Sequence, residues 1–119
     1  MKSNNDKKYD LEDRTFSFAK NVIEYVKNLP EGIAYSEIGK QLVRSAGSVG
    51  ANYIEADESL SKKDFIMRVK ISKKEAKESY YWLNLSSPTK NNEHTKNELM
   101  CESKELMKIF ATIIRNSSV

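Results

Sequence analysis

The stretch from Ser61 to Leu85, SKKDFIMRVKISKKEAKESYYWLNL, narrows the choice of fold more than any other part of the chain. It holds no Gly or Pro, and the next helix breaker is Pro88. Ser61-x-x-Asp64 is a capping-box variant: the Ser61 hydroxyl can accept from the Asp64 amide, and the Asp64 carboxylate suits the positive end of the helix dipole. The sequence therefore predicts one continuous helix about 37 Å long. Its side chains sort into three sectors. Phe65, Val69, Ser72, Ala76, Ser79, Tyr80 and Leu83 share one side, with small residues in the middle where a neighbouring helix can come close. Met67, Ile71, Glu75, Glu78, Trp82 and Leu85 share a second, and Lys63, Lys70, Lys73, Lys74 and Lys77 take most of the rest. A surface helix needs one apolar stripe. Two stripes predict cover from two directions, and so an oligomer.

The rest of the chain fits a helical protein. With 119 residues it is read as a single domain, 1–119, long enough to bury roughly two-thirds of its unfolded surface. Only 2 Pro and 4 Gly beside 31% charged residues disfavour a turn-rich β fold. No apolar run approaches membrane-span length and there is no signal-peptide core, so neither insertion nor export is expected. The lone Cys101 excludes an internal disulfide framework and predicts a cytoplasmic location. A net charge of +3 permits nucleic-acid contact without demanding it.

In chain order, residues 1–9 are polar and expected to fray. Asp10 and Asp13 mark a first helix whose stripe is Phe16, Ala19, Val22, Ile23, Val26 and Leu29, widened by Phe18 and Tyr25. Pro30 and Gly32 make a turn. A second helix is expected from Tyr35 to Ser59, burying Ile38, Leu42, Ala46, Val49, Tyr53, Ala56 and Leu60. Gly39, Gly47 and Gly50 lie along its adjoining side with Val43 and Ile54, and each glycine costs about 1 kcal/mol relative to Ala. Close backbone approach accounts for them better than a broken helix. After the loop SSPTKNNEH, Thr95-x-x-Glu98 predicts the cap of a fourth helix with the stripe Leu99, Ser103, Leu106, Phe110, Ile113 and Ile114, edged by Met100 and Met107. Residues 116–119 are expected to fray. The whole reads as an all-α, antiparallel up-down-up-down four-helix bundle.

Bundles often house metals, but a di-iron site wants Glu-x-x-His twice, and the chain has one histidine, His94, in an expected loop. Cys101 has no histidine partner beside it in sequence and reads as a packing residue rather than a nucleophile. There is no Walker motif, G-x-G-x-x-G or G-x-S-x-G. No cofactor is expected and the chain is read as a non-enzyme. Two sets of residues carry more information. Asn52, Glu55, Arg68, Glu75 and Glu78 lie on or beside apolar faces, where an unpaired charge is expensive, so they predict a buried polar network that fixes register. Arg68 and Glu75 make one candidate pair within a helix. A ligand pocket built on Glu55, Glu75 and Glu78 is a weaker alternative, because clustered carboxylates need proton or metal partners. Lys63, Lys70, Lys73, Lys74 and Lys77 read either as a solvated face or, repeated around an oligomer, as a candidate nucleic-acid-binding surface for RNA or DNA.

The segments RSAGSVGANYIEA (44–56), SKKDFIMRVKISKKEAKE (61–78) and YWL (81–83) resemble the four helix bundle protein family, also called 23S rRNA intervening-sequence proteins. The likeness is strongest over Leu42–Leu85, where Ser48, Val49, Asn52, Ile54, Glu55 and Ala56 occupy places comparable to the family's Ser, Ile, Asn, Ile and Ala-Glu, with the Glu-Ala order of one subgroup. The resemblance implies an up-down bundle assembled as a homopentameric ring with a central channel, and no established enzymatic activity. Related accessory proteins of diversity-generating retroelements share the pentamer and bind nucleic acid and a reverse transcriptase through basic surfaces. Some members are encoded within insertions in ribosomal RNA genes. No catalytic residues carry over. The expectation is an oligomer that binds nucleic acid. A structural or protein-interaction scaffold without nucleic-acid binding is the alternative.

Overall fold

The structure is a computed structural model that describes the backbone of residues 4–117 and the side chains of residues 11–117. Four α-helices follow one another: α1 (Asn4–Lys27), α2 (Ile33–Asp57), α3 (Lys62–Leu85) and, after a 3-10 turn at Lys90–Asn92, α4 (Glu93–Ser117). They pack as an antiparallel bundle in which each helix lies beside its chain neighbours and α4 closes on α1. No strand occurs among the described residues.

The helix ends follow local chemistry. At the start of α3, Ser61 is extended (φ −131, ψ 153) and its side chain accepts from the Asp64 amide at 3.1 Å, as the capping signal predicts. Gly32 begins α2 at φ +138, a conformation that costs a side-chain-bearing residue, and its carbonyl accepts from the Ser36 amide at 2.9 Å. Other ends differ from expectation. α1 begins at Asn4 rather than at Asp10 or Asp13, because adding a polar residue to an existing helix costs little once the nucleus is formed. Residues 1–3, expected to fray, lie outside the described residues. α4 begins at Glu93, so Thr95 is no cap and His94 sits in the first helical turn. The preceding 3-10 turn already winds the chain, leaving no extended residue at Thr95 for a cap to occupy. That turn is tied by the Asn92 amide to the Thr89 carbonyl, 2.9 Å, and by the Asn92 side chain to the Asn28 carbonyl, 2.9 Å. α4 continues through Ser117 rather than fraying at 116, and residues 118–119 lie outside the described set.

The core is built from Phe18, Val22 and Tyr25 of α1, Leu42, Ala46 and Val49 of α2, Val69, Ala76 and Leu83 of α3, and Leu106 and Phe110 of α4. In α1 Val22 is buried as the spacing predicts, but it is joined by Phe18 and Tyr25, which the spacing marks only as the stripe's widened edge. Phe16 and Ile23, placed in the stripe by spacing, are 68% and 41% exposed. Leu60 is fully exposed, because α2 stops at Asp57 and the turn carries it out of helical phase. Ile38 is half-buried.

α2 runs unbroken through its glycines, and two of them explain themselves. A Cβ on Gly39 would stand 2.8 Å from Val26 Cγ1, and one on Gly50 would stand 2.9 Å from Thr15 Oγ1 and 3.2 Å from Thr15 Cβ. Close approach of α1 therefore accounts for both. Gly47 has nothing within 4 Å of its missing Cβ, so packing within the chain does not account for it.

Candidate nucleic-acid interface

α3 turns Val69, Ser72, Ala76, Ser79 and Leu83 into the bundle. The opposite side then falls to Lys63, Lys70, Lys74 and Tyr81, with Lys73 and Lys77 flanking the line; all of them are exposed. Met67 and Leu85, 49% and 50% exposed, lie on this same outward side and not on a separate sector. Lys63, Lys70, Lys73, Lys74 and Lys77 form no ion pair or hydrogen bond among the described residues. Lys70–Lys74 and Lys73–Lys77 are i,i+4 like-charge pairs, which cost a helix a few tenths of a kcal/mol each.

Of the carboxylates beside this face, Glu75 and Glu78 are already occupied, while Asp64 lies with Lys63 and Lys70 around one cleft without an ion pair among the described residues. Arg44 of α2 reaches across to Glu75, with Nη1 to Oε1 at 3.4 Å, and its Nη2 pairs with Glu78. The Trp82 indole N–H donates to Glu78 at 3.1 Å. One guanidinium thus bridges two carboxylates, for which its fork of donors suits it better than an ammonium. Glu75 is 8% exposed, whereas the Arg44 side chain is about half exposed at 48%, so water screens the outer part of this set. Two turns away, toward the start of α3, Arg68 donates to the Asn52 side chain at 3.2 Å.

Of the polar residues singled out by sequence, the structure brings Asn52 to Arg68 and places Glu75 and Glu78 together on Arg44. Arg68 and Glu75 do not pair with each other, since each finds a partner on α2. Glu55 is exposed and lies outside the set. Sequence reasoning missed Arg44. Equal steps outward from the turn at Ser59–Ser61 set Asn52 opposite Arg68 and Arg44 opposite Ala76, next to Glu75, but that register is known only once the two helices are seen packed.

Beneath the network the seam between α2 and α3 is lined by serines. The Ser45 and Ser79 hydroxyls lie 2.9 Å apart, Ser72 donates to the Val49 carbonyl at 2.9 Å, and Ser79 donates to the Glu75 carbonyl at 2.9 Å. At the far end of α3, Ser86 donates to the Leu83 carbonyl at 2.6 Å and so accepts the Tyr25 hydroxyl proton, also at 2.6 Å. These small buried donors let the two helices approach closely without orphaning polar atoms. Burial pushes the Tyr25 phenol above its ordinary range, with the Ser86 bond opposing. The Tyr53 phenol is pushed up to about 12 by burial first, then by the charges of Asp57 and Glu12.

The lysine side carries two shallow clefts. One, of about 660 Å³, lies against Lys63, Met67 and Lys70 beside the end of α4. The other, of about 560 Å³, lies between Arg44, Lys74, Lys77, Tyr81 and Trp82. Tyr81 and Trp82 meet edge to face with ring centroids 5.0 Å apart at 78°. No group of three His, Cys, Asp or Glu side chains suited to a metal occurs among the described residues. The His94 imidazole is exposed, 3.4 Å from Glu98, and Cys101 is exposed. No helix among the described residues is long and apolar enough to cross a membrane.

The pattern that defines the 23S rRNA-intervening sequence protein matches residues 7–112, from within α1 to within α4. The chain belongs to that family. Among solved structures it is similar to a protein of unknown function from the S23 ribosomal protein family of Bacteroides thetaiotaomicron. The two share 31% identity and a TM-score of 0.75 over 87% of this chain and 97% of that one. No match is found among curated proteins. Family and neighbour therefore agree with the helical fold, and neither supplies an activity.

Proposed function

We propose that this member of the family is a non-enzymatic, homo-oligomeric protein that holds RNA or DNA by its phosphate backbone, using the lysine face of α3. The observation that carries the reading is the distribution of ionic partners. Arg44 takes up Glu75 and Glu78, while Lys63, Lys70, Lys73, Lys74 and Lys77 are exposed and find no counter-charge among the described residues. Adjacent unpaired lysines weaken their own helix, and a phosphate backbone offsets that repulsion.

Assembly is part of the proposal. Phe16, Ile23 and Ile54 are exposed on α1 and α2. Phe16 and Ile23 stand seven residues apart on one side of α1, and exposed Gly47 and Ile54 seven apart on one side of α2, so each pair shares a face of its helix. An exposed apolar face of this kind suits a second copy of the chain, and the family resemblance suggests five copies. Several weak lysine faces acting on one strand gain affinity through effective concentration. A reducing cytoplasm suits the exposed thiol of Cys101.

Two measurements test this. Light scattering at micromolar concentration should give several times the 13.7 kDa chain mass. A gel-shift titration with mixed-sequence RNA and DNA should show sequence-tolerant binding. No shift at tens of micromolar, roughly the range of non-specific binding, removes the nucleic-acid reading and leaves a protein-interaction scaffold.

A further inference from the structure

Tyr81 stands at the end of the lysine line. It is 59% exposed, an unusual place for a large ring on the side of the helix opposite the core. Lys74 and Lys77 precede it by two turns and by one, so all three project the same way within about 10 Å of axial rise. Behind Tyr81 the Trp82 ring is held edge-on at 5.0 Å. Trp82 is itself fixed by its N–H bond to Glu78, and Glu78 by Arg44. The result is an aromatic surface already set in position beside two unpaired ammonium groups and opening onto one shallow cleft.

We propose that this cleft takes single-stranded nucleic acid, with an unpaired base stacking on Tyr81 while Lys74 and Lys77 hold the neighbouring phosphates. The inference rests on the nucleic-acid reading above and narrows it to a substrate class. The reasoning is geometric. In a duplex both faces of each base are covered by its neighbours, so an exposed tyrosine ring finds only groove edges and phosphates. A single strand offers a free π-face for every base, and stacking on an aromatic ring is tolerant of sequence. Because Trp82 and its hydrogen bonds already position the ring, little side-chain freedom is lost on binding.

The chain's single tryptophan, Trp82, makes the test direct, since its emission reports this cleft alone. The full-length protein is titrated with oligo-dT, with oligo-U and with a mixed-sequence duplex of equal length. The strands should bind about tenfold or more tighter than the duplex and should change Trp82 emission, whereas the duplex should not. Tyr81→Ala should weaken single-strand binding about five- to hundredfold without changing its salt dependence, while leaving duplex binding and the thermal midpoint alone. Tyr81→Phe, which keeps the ring, should bind as the wild type does. Equal affinity for strand and duplex, with Tyr81→Ala unaltered in both, overturns the stacking site and leaves the phosphate-binding reading standing. Failure of wild-type protein to bind any of the three probes removes both.

Discussion

α2 makes two long seams, and they are held by opposite means. Against α1 the contact depends on missing atoms: Gly39 and Gly50 leave room for Val26 and Thr15, and no side-chain hydrogen bond is needed to bring the backbones together. Against α3 the contact depends on added polar atoms: Ser45 with Ser79, Ser72 with the Val49 carbonyl, Asn52 with Arg68, and Arg44 with Glu75 and Glu78. A glycine seam tolerates no growth, but it specifies register only through shape. A hydrogen-bonded seam specifies register directionally, because a slip would take the buried Ser72 hydroxyl from the Val49 carbonyl and part Ser45 from Ser79. The seam with α3 is also the one that sets the lysine face, since Arg44 neutralises the acids beside it.

The largest expected effect falls on the glycine seam. Gly50→Leu should destabilise the protein by about 3 kcal/mol, since Thr15 is buried and its hydroxyl is tied to the Glu12 carbonyl at 3.0 Å. Gly47→Ala, with nothing within 4 Å of the new methyl, should instead stabilise by up to about 1 kcal/mol in the isolated chain. Chemical denaturation of the two variants checks the contrast. A destabilised Gly47→Ala would mark Gly47 as a point of contact between copies.

The next effect is pH-dependent and belongs to the α1 side, where Glu12 acts on Tyr53. A phenol raised to about 12 when folded keeps its proton longer than in the unfolded chain. Its contribution is complete below about pH 10 and is lost as pH rises through 12, on the order of 2 kcal/mol in all. Tyr25, raised in the same direction by burial, adds to that loss. Stability measured from pH 8 upward should fall steeply above about pH 10, and Tyr53→Phe should flatten the fall.

On the α3 side the expected effects are smaller. Glu75→Ala removes one partner of Arg44, but Arg44 is half exposed and keeps Glu78. A loss of about 1 kcal/mol is expected. An unchanged melting temperature would make this pair a solvated contact and return the specification of register to the serines beneath it.

Much of this was legible in the sequence, and unevenly. The cap, length and buried face of α3 could be read because an N-cap serine, an uninterrupted run and a small-residue face all agree, but Met67 and Leu85 fall outward and not on a second covered side. α1 was harder: Phe16 and Ile23 on one side and Phe18, Val22 and Tyr25 on the other give two plausible stripes, and spacing alone cannot choose between them. The start of α4 was misplaced because a 3-10 turn satisfied the backbone where a capping box was expected. Glu75 and Glu78 were recognisable as polar residues needing partners. Their partner Arg44 was not found, since it lies on another helix and emerges only once the register of α2 against α3 is known. The lysines were plain in the sequence. That they lack counter-charges was not, because this depends on where the neighbouring acids find theirs.

The central claim is that the unpaired lysines of α3 meet phosphates, and the salt dependence of binding tests it most directly. For wild-type protein, the logarithm of the single-strand binding constant should fall linearly with the logarithm of salt concentration, with a slope of about −0.7 per phosphate neutralised. Changing Lys70, Lys74 and Lys77 together to Gln should reduce both the affinity and the steepness of that slope. Light scattering should show the same assembly as wild type, because these side chains point away from the core. An identical slope and affinity in the variant would contradict the claim and place any nucleic-acid contact elsewhere on the bundle.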